Sequence, residues 1–300
     1  MPPPPPTFNL LDTLQNLTPT LHILDAGAMW TGEQTLPYRA LLRPGRTVVY
    51  GFEPVEEECA KLRAMNRPGH VFLPFCLGDG TARTFYTCEP AYTSSLYEPN
   101  LPLLGAFLEL ADVTRPVSAT PIQTRRLDDI EEVQRVDYMK LDVQGAELDI
   151  LKGAPRHLAS TLMIHTEVEF LEMYKGQPLF ADVDAFLRAR GFMLHSIRSL
   201  NGRTFAPVLA NNNPSQRINQ ILWIDALYVR DFRTWHTLSP EQLIAMAVML
   251  TDTIGSVDLA SVALNHYDRK MGSNLWGEFI RQLTRADPGP RPALAGLDNA

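Results

Sequence analysis

The chain has 300 residues, of which 45% are apolar and 20% charged, as in an ordinary globular protein. Its 27 lysines and arginines stand against 34 aspartates and glutamates, which leaves a net charge of −7. These values exclude a disordered or fibrous chain. They also argue against a nucleic-acid partner, because such binding needs clustered cations that neutralise phosphates.

The cysteines and the two ends of the chain show no pattern of a metal site, a disulfide framework or a targeting segment. The three cysteines contain no CxxC pair, so neither a disulfide framework nor a thiolate zinc site is indicated. The N-terminal lead, residues 1–20, starts with the proline run Pro2–Pro6 and lacks the basic and apolar regions of a signal peptide. No apolar stretch reaches the roughly 20 residues of a membrane span. We therefore expect a cytoplasmic protein with a loose tail over residues 286–300.

Short apolar runs alternate with helical patterns between residues 21 and 230, which predicts a mostly parallel sheet with helices on both faces. The predicted strands are Leu21–Leu24, Thr47–Phe52, Val71–Phe75, Val136–Leu141, Leu162–Val168, Phe192–Ile197 and Ile221–Val229. The predicted helices are Leu36–Leu42, Val55–Met65, Ala146–Leu151 and Val183–Arg190. The sequence thus indicates an α/β domain built on a doubly wound, seven-stranded sheet.

Two segments depart from this alternation. Residues 84–120 are too long for a simple crossover and form an insertion that we interpret as a substrate lid. Residues 231–285 are purely helical, with patterns over Pro240–Thr251, Asp258–Tyr267 and Asn274–Leu283. We interpret them as a C-terminal helical appendage, a kind of element that often packs against a partner subunit and so admits a homo-oligomer.

Acidic residues follow several of the predicted strands. Asp25, Glu53, Asp142 and Glu167 end the first, second, fourth and fifth strands, and the third is followed by Gly78–Asp79. In a doubly wound sheet, ligands bind at the carboxyl ends of the strands. Because carboxylates gathered at one edge repel each other, a ligand, a cation or hydrogen-bond donors must offset them. The sequence therefore predicts a ligand site at this edge.

The loop after the first strand indicates the class of ligand. Gly27 permits a tight turn and a close approach of the backbone, and Glu53 can accept the hydroxyls of a ribose. A dinucleotide site would need a second glycine where Met29 stands. The loop fits a cofactor with a ribose and an amino-acid end but no phosphates, which describes S-adenosylmethionine. A nicotinamide-dependent oxidoreductase and a non-catalytic interaction module remain the alternatives.

The run VDYMKLDVQGAELDILKGA, residues Val136 to Ala154, resembles the signature of FkbM-type S-adenosylmethionine-dependent methyltransferases. Further matching pieces occur in order: ILDAGA with Ala28, VYGFEP, CLGDG, SSL, RRLDDI and IHTEVEF. The resemblance spans roughly residues 21 to 197. It implies a Rossmann-like class I methyltransferase fold and methyl transfer to a hydroxyl of a small-molecule or glycan acceptor, such as a saccharide or a glycosylated metabolite. Two departures are Met29–Gly32, where the family has Asn-x-Gly, and Gln144, where it has Glu.

The fourth and fifth strands hold the candidate catalytic residues. Lys140 and Asp142 are two apart and share one face of a strand, as do His165 and Glu167. Lys140 is a base whose pKa is lowered by burial, a cation that orients the acceptor, or one half of a structural ion pair. His165 is either a general base or a structural histidine. A Mg²⁺ ion between Asp142 and Glu167 is not favoured, since methyl transfer needs no metal when a base is present.

The insertion supplies the candidate substrate contacts. Tyr92, Ser94 and Ser95 offer hydroxyls and one aromatic face, which suit a sugar. The alternative is that they are ordinary loop residues.

Overall fold

A computed structural model describes residues 9–30 and 32–286. This part of the chain forms nine strands: β1 (Leu21–Ala26), β2 (Thr47–Phe52), β3 (His70–Leu73), β4 (Ala82–Cys88), β5 (Pro116–Gln123), β6 (Tyr138–Leu141), β7 (Met163–Glu169), β8 (Phe192–Asn201) and β9 (Trp223–Arg230). It also forms ten α-helices: α1 (Leu10–Thr13), α2 (Glu56–Ala64), α3 (Leu101–Leu104), α4 (Leu110–Val113), α5 (Glu147–Lys152), α6 (Pro155–Ser160), α7 (Phe180–Arg188), α8 (Pro240–Ile254), α9 (Val257–Met271) and α10 (Leu275–Ala286). The proline run at residues 2–6 and the tail at 287–300 lie outside the described residues.

Seven of the strands form one sheet in the order β3-β2-β1-β6-β7-β9-β8. β2 pairs with β3, β1 with β6 and β6 with β7 in parallel, whereas β9 runs antiparallel to both β7 and β8. The chain order runs outward from β1 on one side and from β6 on the other, so the switch point lies between these two strands. The predicted α/β fold with a mostly parallel seven-stranded sheet is confirmed.

One predicted helix is wrong. Instead of one α-helix, the segment 36–42 contains a single turn of 3₁₀-helix, Arg39–Leu41, and another such turn, Glu33–Thr35, precedes it. Pro37 explains the break, because a proline forces the preceding residue out of the helical region. Leu36 is accordingly extended, with φ −69° and ψ 119°.

The strands of the sheet have one apolar and one polar face near their carboxyl ends. Met139 of β6 and Ile164 of β7 belong to the main buried apolar cluster. Lys140 and His165 are the next residues along these strands, and neighbouring side chains on a strand point to opposite faces. The candidate catalytic residues therefore lie on the face that is turned away from this core.

The insertion is built on an antiparallel ribbon of β4 and β5, separate from the main sheet. Between these strands, Leu104 of α3, Leu110 of α4 and Phe107 from the turn that joins them form a second buried cluster with Met173 and Tyr174. The insertion thus packs on the segment that follows β7. Its function as a substrate lid stays a prediction.

The described residues divide into two compact units, which we call the sheet unit (residues 22–30 and 48–231) and the helical unit (9–21, 32–47 and 232–286). In the helical unit, the predicted C-terminal helices form as α8, α9 and α10. Among the described residues, no helix is both long and apolar enough to span a membrane.

The helical unit includes N-terminal residues that the sequence does not link to the C-terminal helices. Asp252 of α8 accepts the backbone N–H groups of Leu10 and Leu11 at 2.7 and 2.8 Å, which ties α1 to α8. Residues 32–47 also belong to this unit, although the sequence places them inside the domain at 21–230.

Candidate active site

The parallel register brings three candidate side chains into one row across the sheet. Asp25 of β1 is paired with Lys140 of β6, and Lys140 is paired with His165 of β7. Asp142 and Glu167 lie two residues further along β6 and β7, toward the carboxyl edge. The structure therefore places these five sequence-predicted residues on neighbouring strands around the switch point.

Lys140 is surrounded by oxygen atoms. Its Nζ lies 3.1 Å from Asp25 Oδ1 and 3.7 Å from Asp142 Oδ2, and it donates to the carbonyl oxygen of Gly27 at 2.9 Å. Burial alone would lower the pKa of Lys140, but Asp25 and Asp142 outweigh it and raise that pKa above its ordinary value. An ammonium held in this way does not act as a base at neutral pH. The geometry favours the ion-pair alternative.

The β1 loop passes close to the loop that follows β6. Gly27 has a φ of +75°, and a Cβ at this position would overlap the backbone carbonyl oxygen of Asp142. The N–H groups of Gly27 and Ala28 both donate to the carbonyl oxygen of Phe52, each at 3.1 Å. The space that the glycine leaves open is thus filled by the backbone of the neighbouring loop.

Glu53 ends β2 and is buried, with 4% of its surface exposed. Its Oε1 accepts the backbone N–H of Val55 at 3.0 Å. Burial raises the pKa of Glu53, while the Val55 N–H and the Lys140 charge lower it in part. Glu53 therefore presents a carboxylate one strand away from Asp25, because β2 is the neighbour of β1 in the sheet.

Gly78 and Asp79 make local contacts instead. A Cβ at Gly78 would lie 2.9 Å from the Thr124 side chain. The Asp79 carboxylate accepts the N–H and the hydroxyl of Thr81 at 3.0 and 2.6 Å. These contacts build a turn at the start of the ribbon, and the role of both residues in cofactor binding stays a prediction.

Gln144 joins the two carboxylates at the ends of β6 and β7. Its Nε2 lies 3.0 Å from Asp142 Oδ1 and 2.9 Å from Glu167 Oε1. Burial raises the pKa of Glu167 well above its usual range, and the charges of Asp142 and Glu169 raise it further. Asp225 of β9 is the register partner of Glu167, which adds another carboxylate beside it. Burial and the neighbouring acids thus both disfavour the ionised form of Glu167.

Glu147 holds the loop between β6 and α5. Its Oε1 accepts the backbone N–H of Val143 at 2.8 Å. Burial raises the pKa of Glu147 to about 7, against the hydrogen bonds from backbone N–H groups that lower it. This carboxyl group therefore organises the loop that carries Asp142 and Gln144.

His165 lies deeper along β7 than Glu167. Its Nδ1 is 3.1 Å from the hydroxyl of Tyr138. Burial lowers the pKa of His165 below 6.5, and the Asp225 carboxylate offsets this only in part. The imidazole is therefore neutral at pH 7 and has a hydroxyl partner within the sheet.

The candidate substrate residues in the insertion behave differently from one another. Tyr92 is 58% exposed. The Ser94 hydroxyl accepts the backbone N–H of Cys88 at 3.0 Å, and the Ser95 hydroxyl donates to the carbonyl oxygen of Gln144 at 2.6 Å. The two serines stabilise backbone, as expected of ordinary loop residues, and substrate contact by all three stays a prediction.

The described residues hold no group of three or more His, Cys, Asp or Glu side chains that is arranged to bind a metal ion.

Several residues near Glu167 are not among the sequence-based candidates. Glu169 is buried at the end of β7. Tyr174 lies with its hydroxyl 3.0 Å from Gln144 Oε1, and its backbone N–H donates to Gln177 Oε1 at 2.6 Å. Alternation along β7 could have identified Glu169, whereas Tyr174 and Gln177 lie in an irregular segment without a motif.

Comparison with known proteins points to one family. Residues 25–194 match the family described as the methyltransferase FkbM domain, which is more than half of the chain. The 2-O-methyltransferase NoeI of Sinorhizobium fredii is 42% identical over 67 residues. That match covers 21% of this chain and spans only 28% of the length of NoeI.

Solved structures of methyltransferases show weaker likenesses. The magnesium protoporphyrin IX methyltransferase of Synechocystis PCC 6803, determined with bound SAM, is 13% identical with a TM-score of 0.37, over 73% of this chain and 74% of that one. The precorrin-6y C5,15-methyltransferase of Geobacter metallireducens GS-15 is 14% identical with a TM-score of 0.35, over 74% and 87% of the two chains. Likenesses of this size carry no argument, so the assignment relies on the family match and the sheet itself.

Proposed function

The chain belongs to the FkbM methyltransferase family, and we propose that it transfers a methyl group to a hydroxyl oxygen of a saccharide or a glycosylated metabolite. Its dependence on S-adenosylmethionine follows from the family. The same assignment decides against the nicotinamide-dependent oxidoreductase and the non-catalytic module.

The residues at the ends of β1, β2 and β6 fit S-adenosylmethionine. When bound, this cofactor supplies a methyl group on a positively charged sulfur. Glu53 offers a buried carboxylate for the ribose hydroxyls, and Asp142 offers an exposed one near the switch point. Asp25 acts through Lys140, whose ammonium fixes the Gly27 carbonyl and with it the loop that would border the cofactor. Carboxylates around a cationic donor are the chemistry that this cofactor requires.

Glu167 is the group that we assign as general base. It lies at the carboxyl edge, and one of its oxygens accepts the Gln144 amide at 2.9 Å. The second oxygen takes the proton of the acceptor hydroxyl. A base works best when its pKa lies near the working pH, and burial moves the pKa of Glu167 in that direction. The proposal of transfer to a hydroxyl rests on one observation: Glu167 is a half-buried carboxylate with a raised pKa, and it shares the Gln144 amide with Asp142.

Two observations support a saccharide as the acceptor. The NoeI match is to a protein named as a 2-O-methyltransferase, and the insertion exposes the aromatic ring and hydroxyl of Tyr92. An aromatic face combined with carboxylate acceptors suits the apolar faces and hydroxyls of a sugar ring.

The test is product analysis with the purified chain. It is incubated with methyl-labelled S-adenosylmethionine and a panel of oligosaccharides and glycosylated metabolites. The expected result is label in an ether-linked methyl group on a sugar hydroxyl. Label on nitrogen or carbon only, or label accepted only by compounds without a sugar, would contradict the proposed acceptor. Calorimetry with S-adenosylhomocysteine on the same preparation checks that the cofactor site is intact.

A further inference from the structure

Two glutamine side chains and Tyr174 form a hydrogen-bonded group beside the carboxylates, which we call the amide cluster (Gln144, Tyr174 and Gln177). The Tyr174 hydroxyl lies 3.0 Å from Gln144 Oε1 and its backbone N–H donates to Gln177 Oε1 at 2.6 Å. The Gln177 side chain lies near Glu169 and lowers the pKa of that carboxyl group against the effect of burial. Gln144 therefore contacts Glu167 directly, whereas Gln177 lies beside Glu169, the other acidic residue of β7.

The orientation of the Gln144 amide follows from its partners. An ionised carboxylate can only accept hydrogen bonds, so the NH₂ group of Gln144 must face Asp142 and Glu167. Its carbonyl oxygen is then turned to the Tyr174 hydroxyl, whose one proton is shared between Gln144 Oε1 and the carbonyl oxygen of Thr93, each at 3.0 Å. A glutamine with all of these contacts satisfied has a single favourable orientation, which fixes the Glu167 oxygen that it touches.

We propose that Gln144, held by Tyr174, is a positioning residue for methyl transfer: its amide fixes one oxygen of Glu167 and leaves the other to take the acceptor proton. This inference rests on the proposed function. It gives the neutral amide at position 144 a role that the sequence does not show. In this chain, the glutamate that the resemblance places at this position in the family would remove both N–H donors and put a third carboxylate beside Asp142 and Glu167.

The electrostatic setting of Glu167 makes the inference testable by pH. The groups around it are Lys140 from β6, Asp142 from the loop after β6, His165 and Glu169 from β7, Asp225 from β9, Glu147 from α5 and Tyr174 from the following segment, and Arg198 of β8 acts on the neighbouring His165. Four of these groups are carboxylates and only two are cations, so a further negative charge at residue 144 opposes ionisation of Glu167. Gln144→Glu also removes the N–H donor to the Glu167 carboxylate, and this loss raises the pKa of Glu167 as well.

The experiment compares the wild-type chain with Gln144→Glu and Tyr174→Phe. For Gln144→Glu we expect kcat at pH 7 to fall about tenfold or more, with the acid limb of the kcat profile moved to higher pH. The KM for S-adenosylmethionine should change much less. Tyr174→Phe should shift the limb in the same direction by a smaller amount. The matched control is Gln134→Glu. Gln134 is exposed and lies away from the site, so this substitution makes the same charge change without touching Glu167.

An acid limb that stays at its wild-type position in Gln144→Glu overturns the inference, even when kcat falls, because a purely structural role lowers activity without moving the limb. If the melting curve shows that Gln144→Glu does not fold, the position of the acid limb in Tyr174→Phe decides the question: an unmoved limb overturns the inference. Infrared spectra of each protein, with the spectrum of its Glu167→Gln counterpart subtracted, follow the titration of the Glu167 carboxyl group. This measurement needs no methyl acceptor. A shift of that titration in the variants supports the positioning role even if no saccharide is methylated, and an unshifted titration contradicts it.

Discussion

The two sides of the switch point treat their carboxylates differently. On the β1 and β6 side, Asp25 forms an ion pair with Lys140 at 3.1 Å, and the ammonium also binds the Gly27 carbonyl. On the β7 and β9 side, neutral groups hold the acids: the Gln144 amide donates to Glu167, and the Ser199 hydroxyl donates to Asp225. An ion pair favours the ionised form of a carboxylate, whereas burial among other acids raises the pKa of Glu167. We infer that the first side braces a loop, and we propose that the second moves a proton.

The largest expected effect comes from removing the brace. Lys140→Met leaves the buried Asp25 carboxylate without its cation, and we expect a loss of about 3–5 kcal/mol in the free energy of unfolding. Urea denaturation measures it. Lys175→Met is the matched control, because the Lys175–Glu98 pair is exposed, with side-chain exposures of 49% and 47%, and should cost less than about 1 kcal/mol. Equal losses in the two variants would contradict the brace.

The second effect concerns the loop that Lys140 holds. Gly27→Ala combines a positive φ with an overlap against the Asp142 backbone, so we expect a loss of about 1–3 kcal/mol or more. Gly272→Ala separates the two causes, since Gly272 has a φ of +66° but an added Cβ there meets open space. Thermal or urea unfolding of both variants gives the comparison. If Gly272→Ala costs as much as Gly27→Ala, close packing of the two loops contributes nothing.

A third effect tests the cofactor end of the same side. Glu53→Ala should weaken the binding of S-adenosylhomocysteine by about 1–3 kcal/mol, because it leaves ribose hydroxyls without an acceptor. Isothermal calorimetry measures the Kd. Glu57→Ala removes a carboxylate from the exposed start of α2 and should leave the Kd unchanged. An unchanged Kd in Glu53→Ala would sink the assignment of Glu53.

The smallest effect is a change in the pH dependence of stability caused by Glu147, which holds the loop that carries Gln144. Burial raises the pKa of Glu147 to about 7 from 4.5. A carboxyl group with a raised pKa in the folded state contributes stability that is present below pH 4.5 and is lost as the pH rises through about 7. Glu147→Gln removes this titration, so its free energy of unfolding should fall less steeply across that window. Parallel curves for the two proteins would contradict the raised pKa.

The two sides were also unequally predictable from the sequence. Asp25, Lys140 and Asp142 end short apolar runs, so strand alternation and sheet topology suffice to bring them together. The Leu36–Leu42 helix failed because apolar spacing outweighed Pro37 in the prediction. Tyr174 and Gln177 lie in a segment without a period, and their contacts to Gln144 and Glu169 depend on how that segment folds back. Donor contacts of this kind are set by tertiary structure and leave no local pattern.

The most direct test of the central claim is the methyl-transfer rate of Glu167→Gln beside that of His165→Gln, each with the Kd for S-adenosylhomocysteine measured on the same preparation. Glu167→Gln keeps the shape of the side chain but cannot take a proton. We expect its kcat to fall by roughly 10²–10⁴-fold with an unchanged Kd, and the kcat of His165→Gln to fall by less than about tenfold. Wild-type kcat in Glu167→Gln, or the large loss in His165→Gln instead, would contradict the assignment of Glu167 as the base.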